Sequence, residues 1–493
     1  MTGPDAIRER LESLSPDKRV LLERLLVARA TRTTVIPVRD RSVPAPLSPP
    51  QQRLWFMDQL APGSPTYNAI VAIHTRGSLD TDVVREVMQR IIERHEVART
   101  VIQDTDEPAQ VVLDEWTFVM ESVDVSSLAL AERWPAAIDR VRAFARLPYD
   151  LSRDLPLRLI IVQLGADEHL LGFAEHHIAF DGWSDEVMFG ELSEGYARLV
   201  AGREWDPEPL AVQYADVAAW WDSTPSAGSL EDYWRSTLEG APPAVRLPVD
   251  RPHPDVQRFA GAHLPVRITG ATDRLALLQT QESATSFMVL TAALAAMVYR
   301  WSGCSDLVFG TPFANRSRVE FEQLIGFFSN TVPLRFRVAG DASFRDLVKQ
   351  SRTVCMGAFQ HQELPFERIV ELTRQERDPR RNPLFQVNVR VQQGGPPLPH
   401  FDGVEILPVE VDLGFSRFDI AFDLAVAGDG IAGYLEYNSD LFDEATITGL
   451  VDWTEELIAN CLRRPDIAVQ DLRFGPEAGS IRGRRRRSSD GTR

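Results

Sequence analysis

Lysine is almost absent from this chain of 493 residues. Of its 53 basic residues only Lys18 and Lys349 are lysines, and all the others are arginines. Nucleotide-binding P-loops need a Gly-Lys-Ser/Thr sequence, and pyridoxal phosphate enzymes need a lysine for the Schiff base. Lys18 lies between aspartate and arginine and Lys349 between valine and glutamine, so neither suits such a site. We therefore expect no ATP-dependent activation; if the protein makes a bond, the energy arrives with the substrate.

Cysteines and long apolar runs are also scarce. Cys304, Cys355 and Cys461 are far apart and form no CxxC pair, which argues against a disulfide framework and a thiolate zinc site. The longest predominantly apolar run, 287–299, is too short to span a bilayer, and residues 1–30 lack a signal-peptide pattern. These absences predict a cytoplasmic protein that binds neither a metal nor a membrane.

The charge balance is strongly acidic, with 53 basic and 71 acidic residues and a net charge of −18. This net negative charge disfavours nucleic acid as a partner, because phosphates repel a negatively charged surface. The arginine-rich segment 476–493 is typical of a solvated, disordered tail.

Hydrophobic periodicity predicts two comparable lobes of mixed helix and strand. The elements predicted in the first lobe are a strand at 68–75, a helix at 81–96, a hairpin at 157–174 and a helix at 184–200. Those predicted in the second are a helix at 286–299 and strands near 306–309, 331–338, 385–392 and 430–437.

The stretch 222–263 is rich in proline, glycine and serine and short of periodicity, so a boundary belongs there. We expect an α/β protein with four parts: N-terminal helices and linker (1–46), an N-terminal lobe (47–225), a C-terminal lobe (226–475) and the tail (476–493).

The most unusual string of residues lies where the predicted hairpin ends and a helix begins. It reads His176-His177, followed by Asp181-Gly182 and Trp183-Ser184. Adjacent strand residues face opposite sides, so the two histidines cannot enter one pocket, and a chelate of both is disfavoured. One histidine should face solvent or substrate and the other the structure. Taken alone, the string fits two structural histidines about as well as a catalytic site.

Through this string the sequence resembles the condensation domains of nonribosomal peptide synthetases, which carry the motif HHxxxDG. Further segments resemble the family's other motifs, in the family's order: 48–55, 94–100, 214–220, 325–331, 361–367 and 377–384. The departures, which include Pro50, Ala98 and Ser329, lie in supporting positions and bear on substrate choice more than on reaction type.

The resemblance implies two chloramphenicol-acetyltransferase-like lobes in a V-shaped pseudodimer with a central tunnel. It implies transfer of an acyl or aminoacyl group from a carrier-protein phosphopantetheine thioester to an acceptor amine, giving an amide, or to an alcohol, giving an ester. The acceptor would be carrier-bound or soluble, and the enzyme would hold no cofactor, because phosphopantetheine arrives on the carrier. With Met1 at its start and no Leu-Gly-Gly-x-Ser carrier signature, the chain looks like a free-standing enzyme, although a domain taken from a synthetase stays possible.

The resemblance also assigns residues. His177 is expected at the tunnel centre, as the base or as the group that positions the acceptor. Support is expected from His176, Asp181 and Gly182, and from Arg94 and Arg99 in the second motif. Asp181 should pair with an arginine, either Arg94, which we favour because it lies in a matched motif, or Arg316. The candidates for lining the tunnel are Trp183, Ser184, Trp220, Ser329 and Asn330.

Two other functional classes remain open. A coenzyme-A-dependent acyltransferase of the same fold shares His-x-x-x-Asp but is not expected to carry the other motifs. A non-catalytic carrier-recruitment domain would not need an intact His177, Asp181 and Gly182.

Overall fold

The computed structural model describes residues 35–103, 107–224, 228–373 and 378–472. The helices predicted near the N-terminus and the tail predicted at 476–493 lie outside the described residues. The strands are β1 (Ala45–Pro46), β2 (Asn68–Arg76), β3 (Thr100–Gln103), β4 (Ala109–Val112), β5 (Met120–Asp124), β6 (Leu157–Gly165), β7 (Glu168–His176), β8 (Gly261–Thr269), β9 (Asp306–Phe313), β10 (Asn330–Arg337), β11 (Val387–Gln393), β12 (Glu405–Val409), β13 (Ile420–Ala427) and β14 (Gly430–Asn438). The α-helices are α1 (Pro49–Leu60), α2 (Thr81–Arg94), α3 (Leu130–Ala145), α4 (Gly182–Val200), α5 (Tyr214–Ser223), α6 (Gly228–Leu238), α7 (Thr272–Glu282), α8 (Ser286–Ser302), α9 (Val319–Glu322), α10 (Phe344–Gln360), α11 (Phe366–Thr373) and α12 (Glu444–Arg463).

The first lobe is organised around a five-stranded sheet in the order β12-β2-β7-β6-β5. Strands β6 and β7 are buried along almost their whole length, which requires cover on both faces. Successive residues of β6 divide between the faces: Leu159 packs under α2 and α4, whereas Ile160 packs under α3. Because β7 ends at His176 and α4 begins at Gly182, a short loop holds the unusual string in place.

The second lobe is built on a six-stranded sheet in the order β10-β9-β11-β13-β14-β8. Strand β11 runs parallel to both β9 and β13, and the other pairs are antiparallel. Helix α8 is buried around most of its circumference, because the sheet lies on one side of it and α10 and α12 pack on the other. A small third sheet, β1-β4-β3, lies beside the first lobe.

The second half of the chain also contributes to the first lobe. Strand β12 pairs antiparallel with β2, and Phe321 and Phe328 pack into the first lobe's core. Gly77 shows how closely the backbones approach: it has φ +131°, and a Cβ there would lie 2.6 Å from the carbonyl oxygen of Gly403. The two lobes are therefore joined by backbone pairing as well as by side-chain contacts.

Most of the predicted elements are present, and their observed ends differ from the predicted ones by a few residues. The predicted strand at 68–75 is β2, the predicted hairpin is β6–β7, and the predicted helix at 184–200 begins earlier, at Gly182. The prediction that 222–263 lacks periodic structure is wrong in part, because α6 lies within it and buries Trp234 in the second lobe's core.

None of the helices in the described part of the chain is by itself long and apolar enough to cross a membrane. Helices α7 and α8 pass such a test only when taken together, and that pair is bent by 101°.

Candidate active site

His176 and His177 point to opposite sides at the end of β7, as the alternation of strand residues predicts. His176 is 3% exposed, and its Nδ1 accepts a hydrogen bond from the backbone N–H of Ile178 at 3.1 Å. Its ring packs edge-on against Tyr149. Burial is the main cause that lowers the pKa of His176, to about 3. His176 is therefore a neutral residue with a structural role.

His177 lies on the wall of a large cavity. Its Nδ1 is 3.2 Å from the carbonyl oxygen of Phe180, and its Nε2 is 3.2 Å from Nη2 of Arg417. A carbonyl only accepts and a guanidinium only donates, so Nδ1 carries the proton and Nε2 offers its lone pair. Burial, followed by the charge of Arg417, lowers the pKa of His177 well below its usual value. The ring is thus a neutral imidazole whose lone pair accepts a hydrogen bond from Arg417.

Asp181 is the N-cap of α4 and accepts five hydrogen bonds. Its Oδ1 accepts from the backbone N–H of Ser184 at 3.0 Å, from the Ser184 hydroxyl at 2.8 Å and from Arg316 Nη2 at 3.0 Å. Its Oδ2 accepts from the backbone N–H groups of Phe328 at 3.0 Å and Ser329 at 3.1 Å. No hydrogen bond joins Asp181 to the His177 ring, whose Nδ1 faces a carbonyl. Asp181 therefore fixes the loop and binds it to the second half of the chain; it is not placed as the acid of a triad.

Arg316, and not Arg94, is the arginine that pairs with Asp181. The Asp181 and Arg316 side chains are almost completely buried, and Arg316 Nη1 also donates to two backbone carbonyls within 321–324. The expectation that favoured Arg94 is wrong because Arg94, in the last turn of α2, forms an ion pair with Glu191 of α4 instead.

A cavity of about 1950 Å³ lies between the lobes. Its wall combines residues of β2 and the start of α4 with residues of β11, β13 and β14. Five of the predicted site residues line it, namely His177, Asp181, Gly182, Trp183 and Ser329. The predicted residues that do not line it are His176, Arg94, Arg99, Ser184, Trp220 and Asn330.

The prediction that Ser184, Trp220 and Asn330 line the tunnel is therefore wrong, and each has a structural role instead. Ser184 Oγ accepts from the backbone N–H of Gly326 at 3.0 Å. Trp220 packs against Phe321. Asn330 Nδ2 donates to two backbone carbonyl oxygens, each 2.7 Å away, of residues in the 362–364 turn. None of these three residues belongs to the cavity lining.

Gly182 has no steric need to be glycine in the protein itself. The nearest atom to an added Cβ would be Arg390 Nη1, at 3.9 Å, which is an ordinary contact distance. A methyl group there would extend into the cavity instead. The bare backbone at Gly182 thus leaves room for a ligand. Next to it, the Trp183 indole lines the wall and donates to the carbonyl oxygen of Glu322 at 3.0 Å.

Among the charged residues on the cavity wall that were not assigned to the site from the sequence are Arg417, Arg390, Glu175 and Asp185. Glu175 precedes His177 by two residues at the end of β7, so the alternation rule, continued one residue past the strand, predicts both side chains on one face. Arg390 lies on β11 in the other lobe, and Arg417 is 240 positions away from His177, so no local pattern links either arginine to the histidines. Among the described residues, no group of three or more His, Cys, Asp or Glu is placed to hold a metal ion.

Comparison with known proteins gives a consistent result. The family model described as Condensation domain matches residues 43–480. The phosphinothricin tripeptide synthetase PhsC of Streptomyces viridochromogenes is 38% identical over 459 residues; the alignment covers 90% of this chain and 42% of that protein. The chain thus spans less than half the length of this relative.

Solved structures show the same fold. The X-domain from teicoplanin biosynthesis, in its complex with OxyB, superposes with a TM-score of 0.78 at 27% identity, covering 90% of this chain and 98% of that one. The first condensation domain of the CDA synthetase superposes with a TM-score of 0.76 at 19% identity, covering 88% of this chain and 100% of that one. The predicted fold class is confirmed.

Proposed function

Since the chain belongs to the condensation-domain family, we propose that it transfers an acyl or aminoacyl group from a carrier-protein phosphopantetheine thioester to an acceptor amine or alcohol. The observation that carries this proposal is the placement of His177 on the wall of the cavity between the lobes, where its Nε2 lone pair accepts a hydrogen bond from Arg417. A thioester is already activated, which fits a chain with two lysines and no P-loop.

The size and composition of the cavity support a reaction between two substrates. Ligand pockets usually measure about 300–1,000 Å³, whereas this one measures about 1950 Å³ and is walled by both lobes. That space suits a donor arm and an acceptor that meet at His177. We propose carrier proteins as donor partners, either a carrier-bound or a soluble acceptor, no cofactor beyond the carrier's phosphopantetheine, and a cytoplasmic location.

We assign His177 and Arg417 complementary roles. An acceptor N–H or O–H that replaces the Arg417 N–H at Nε2 would be oriented by the imidazole for attack on the thioester carbonyl. The displaced guanidinium would remain beside the reacting carbonyl, where it can stabilise the negative charge of the tetrahedral intermediate. Because the His177 pKa is well below its usual value, the ring keeps its lone pair at neutral pH.

A non-catalytic recruitment domain is the second candidate, and one observation favours keeping it. The X-domain that superposes on 90% of this chain was solved in a complex with OxyB. The cavity and the placement of His177 on its wall favour catalysis instead, because a surface that only recruits a partner needs neither.

The test supplies acyl-loaded carriers with candidate amines and alcohols and follows the products by mass spectrometry. His177→Ala should lower turnover by about 10²–10⁴-fold, the usual contribution of a positioned proton-transfer group. His400→Ala, at a histidine whose side chain is 78% exposed, is the matched control and should react like the wild type. Unchanged turnover in His177→Ala would remove this residue from the mechanism, and turnover with acyl-coenzyme A alone would favour a coenzyme-A-dependent acyltransferase.

A further inference from the structure

Two carboxyl side chains share the cavity wall with His177 and have no part in the function proposed so far. Glu175 lies in β7, two residues before His177, which directly follows the last residue of that strand. Asp185 comes from the first turn of α4. Both residues line the cavity, although Glu175 is only 3% exposed and Asp185 only 9% exposed.

The two carboxyl groups are hydrogen-bonded to each other. Such a bond requires that one of the two groups carries a proton, because an ionised carboxylate only accepts. The buried oxygens Glu175 Oε2 and Asp185 Oδ1 receive no hydrogen bond from any other donor of the described residues. The pair thus lies on the cavity wall without a further donor from the protein, and a donor on a ligand in the cavity would be its next partner.

The pair behaves as one acid with one proton. Burial first, and then repulsion between the two groups, raises the pKa of Glu175 well above its usual value. Burial likewise raises the pKa of Asp185, to about 7. Because the first charge hinders the second from forming, the pair holds one proton and one negative charge near neutral pH.

The charges around the pair do not neutralise it. Those that act on it belong to Asp181, Glu186 and Arg390. Arg390 is the single cation of this group, and its Nε is 2.9 Å from Asp423 Oδ2. The remaining negative charge of the pair is therefore available to a cation or a strong donor in the cavity.

We propose that Glu175 and Asp185 bind the ammonium group of the acceptor amine and take one of its protons, so that a neutral amine reaches His177. This inference rests on the proposed function. His177 is poorly placed for this first deprotonation, since its lone pair accepts the Arg417 N–H. The carboxyl pair lies on the same cavity wall and is ionised more readily than a lone pair already engaged by a guanidinium can take up a proton.

The proton balance is simple. The ammonium nitrogen gives one proton to the carboxylate of the pair, and its freed electron pair attacks the thioester carbonyl carbon. The C–S bond then breaks, and the leaving thiolate takes a second nitrogen proton. The third stays on the amide nitrogen, and the pair returns its own proton to water.

The first test measures kcat/KM for two acceptors at pH 7, each supplied together with a panel of acyl-loaded carriers. Glycyl-pantetheine amide is an ammonium ion at this pH, whereas hydroxylamine is largely neutral. Glu175→Gln and Asp185→Asn should each lose about tenfold or more in kcat/KM with the ammonium acceptor and keep the wild-type rate with hydroxylamine. Glu194→Gln, at an acid of α4 that lies outside the cavity lining and has a 57% exposed side chain, should match the wild type with both. An equal loss with both acceptors would overturn the proposal.

A second measurement needs no donor and separates this inference from the proposed function. Calorimetry compares glycyl-pantetheine amide with its N-acetyl analogue, which carries no ammonium group. The wild type should bind the ammonium form more tightly, and Glu175→Gln should bind both alike. A wild type that binds the two equally would overturn the inference even if condensation occurs. Tighter binding of the ammonium form than of the N-acetyl analogue, in a protein that never reacts with loaded carriers, would support amine recognition and refute the proposed function.

Discussion

Replacing Asp181 by asparagine tests whether this carboxylate stabilises the fold or takes part in proton transfer. Five donors converge on its two oxygens in the structure. An amide has one oxygen, so asparagine must turn its NH₂ either towards Arg316 and Ser184 or towards the backbone N–H groups on the other side. In either orientation donors face donors, and the Arg316 charge loses its counter-ion.

The expected cost follows from the burial of the pair. The exposed fractions of the Asp181 and Arg316 side chains are 3% and 1%. Removing one partner of such a pair costs about 3–5 kcal/mol, a large part of the about 5–15 kcal/mol by which folded proteins are stable. The loss of folding free energy caused by Arg316→Met should lie in the same range. The double variant should cost less than the sum of the single ones, because neither charge is then left alone.

Urea denaturation followed by tryptophan fluorescence measures these costs, and single turnover on the folded fraction measures catalysis. Asp181→Asn should unfold at a clearly lower urea concentration and keep most of its turnover while folded. Asp139→Asn, at a carboxylate whose side chain is 73% exposed, is the control and should unfold like the wild type. A variant at Asp181 with wild-type stability and lost turnover would refute the reasoning, because the carboxylate would then act on the chemistry.

Three further predictions concern the same region. Gly182→Ala should keep the thermal midpoint, since its Cβ meets nothing closer than 3.9 Å, but should lower kcat/KM by about tenfold or more because the methyl occupies ligand space; an unchanged kcat/KM would contradict this. Asn330→Ala should lower the free energy of unfolding by about 1–3 kcal/mol, because it leaves two buried carbonyls unpaired, and KM measured on the same variant should not change. The pKa of His176 lies at about 3 in the folded state against 6.5 ordinarily, so the unfolded chain binds more protons between these values and stability falls as pH drops through that window. Thermal midpoints from pH 7 to 4 should therefore decline more steeply for the wild type than for His176→Asn, and equal slopes would exclude His176 as a cause.

The sequence predicts well those features that depend on neighbouring residues. The β6–β7 hairpin follows from two apolar runs around a polar turn, and the opposite faces of the two histidines follow from the geometry of a strand. The same alternation rule could have placed Glu175 beside His177. Helix α6 was missed because proline, glycine and serine dominate its surroundings, and its burial of Trp234 depends on the second lobe's core.

What the sequence does not predict is the partner that each local group meets across the molecule. Asp181 lies in a matched motif and so does Arg94, yet the paired arginine is Arg316, brought there by the crossing of the chain from the second lobe. The same holds for the imidazole at the centre of the site. Its position is encoded by one short motif, 176–182, but its protonation state is set by burial and by Arg417. A pattern in the chain can thus locate the reacting ring, whereas the affinity of that ring for a proton is a property of the assembled fold.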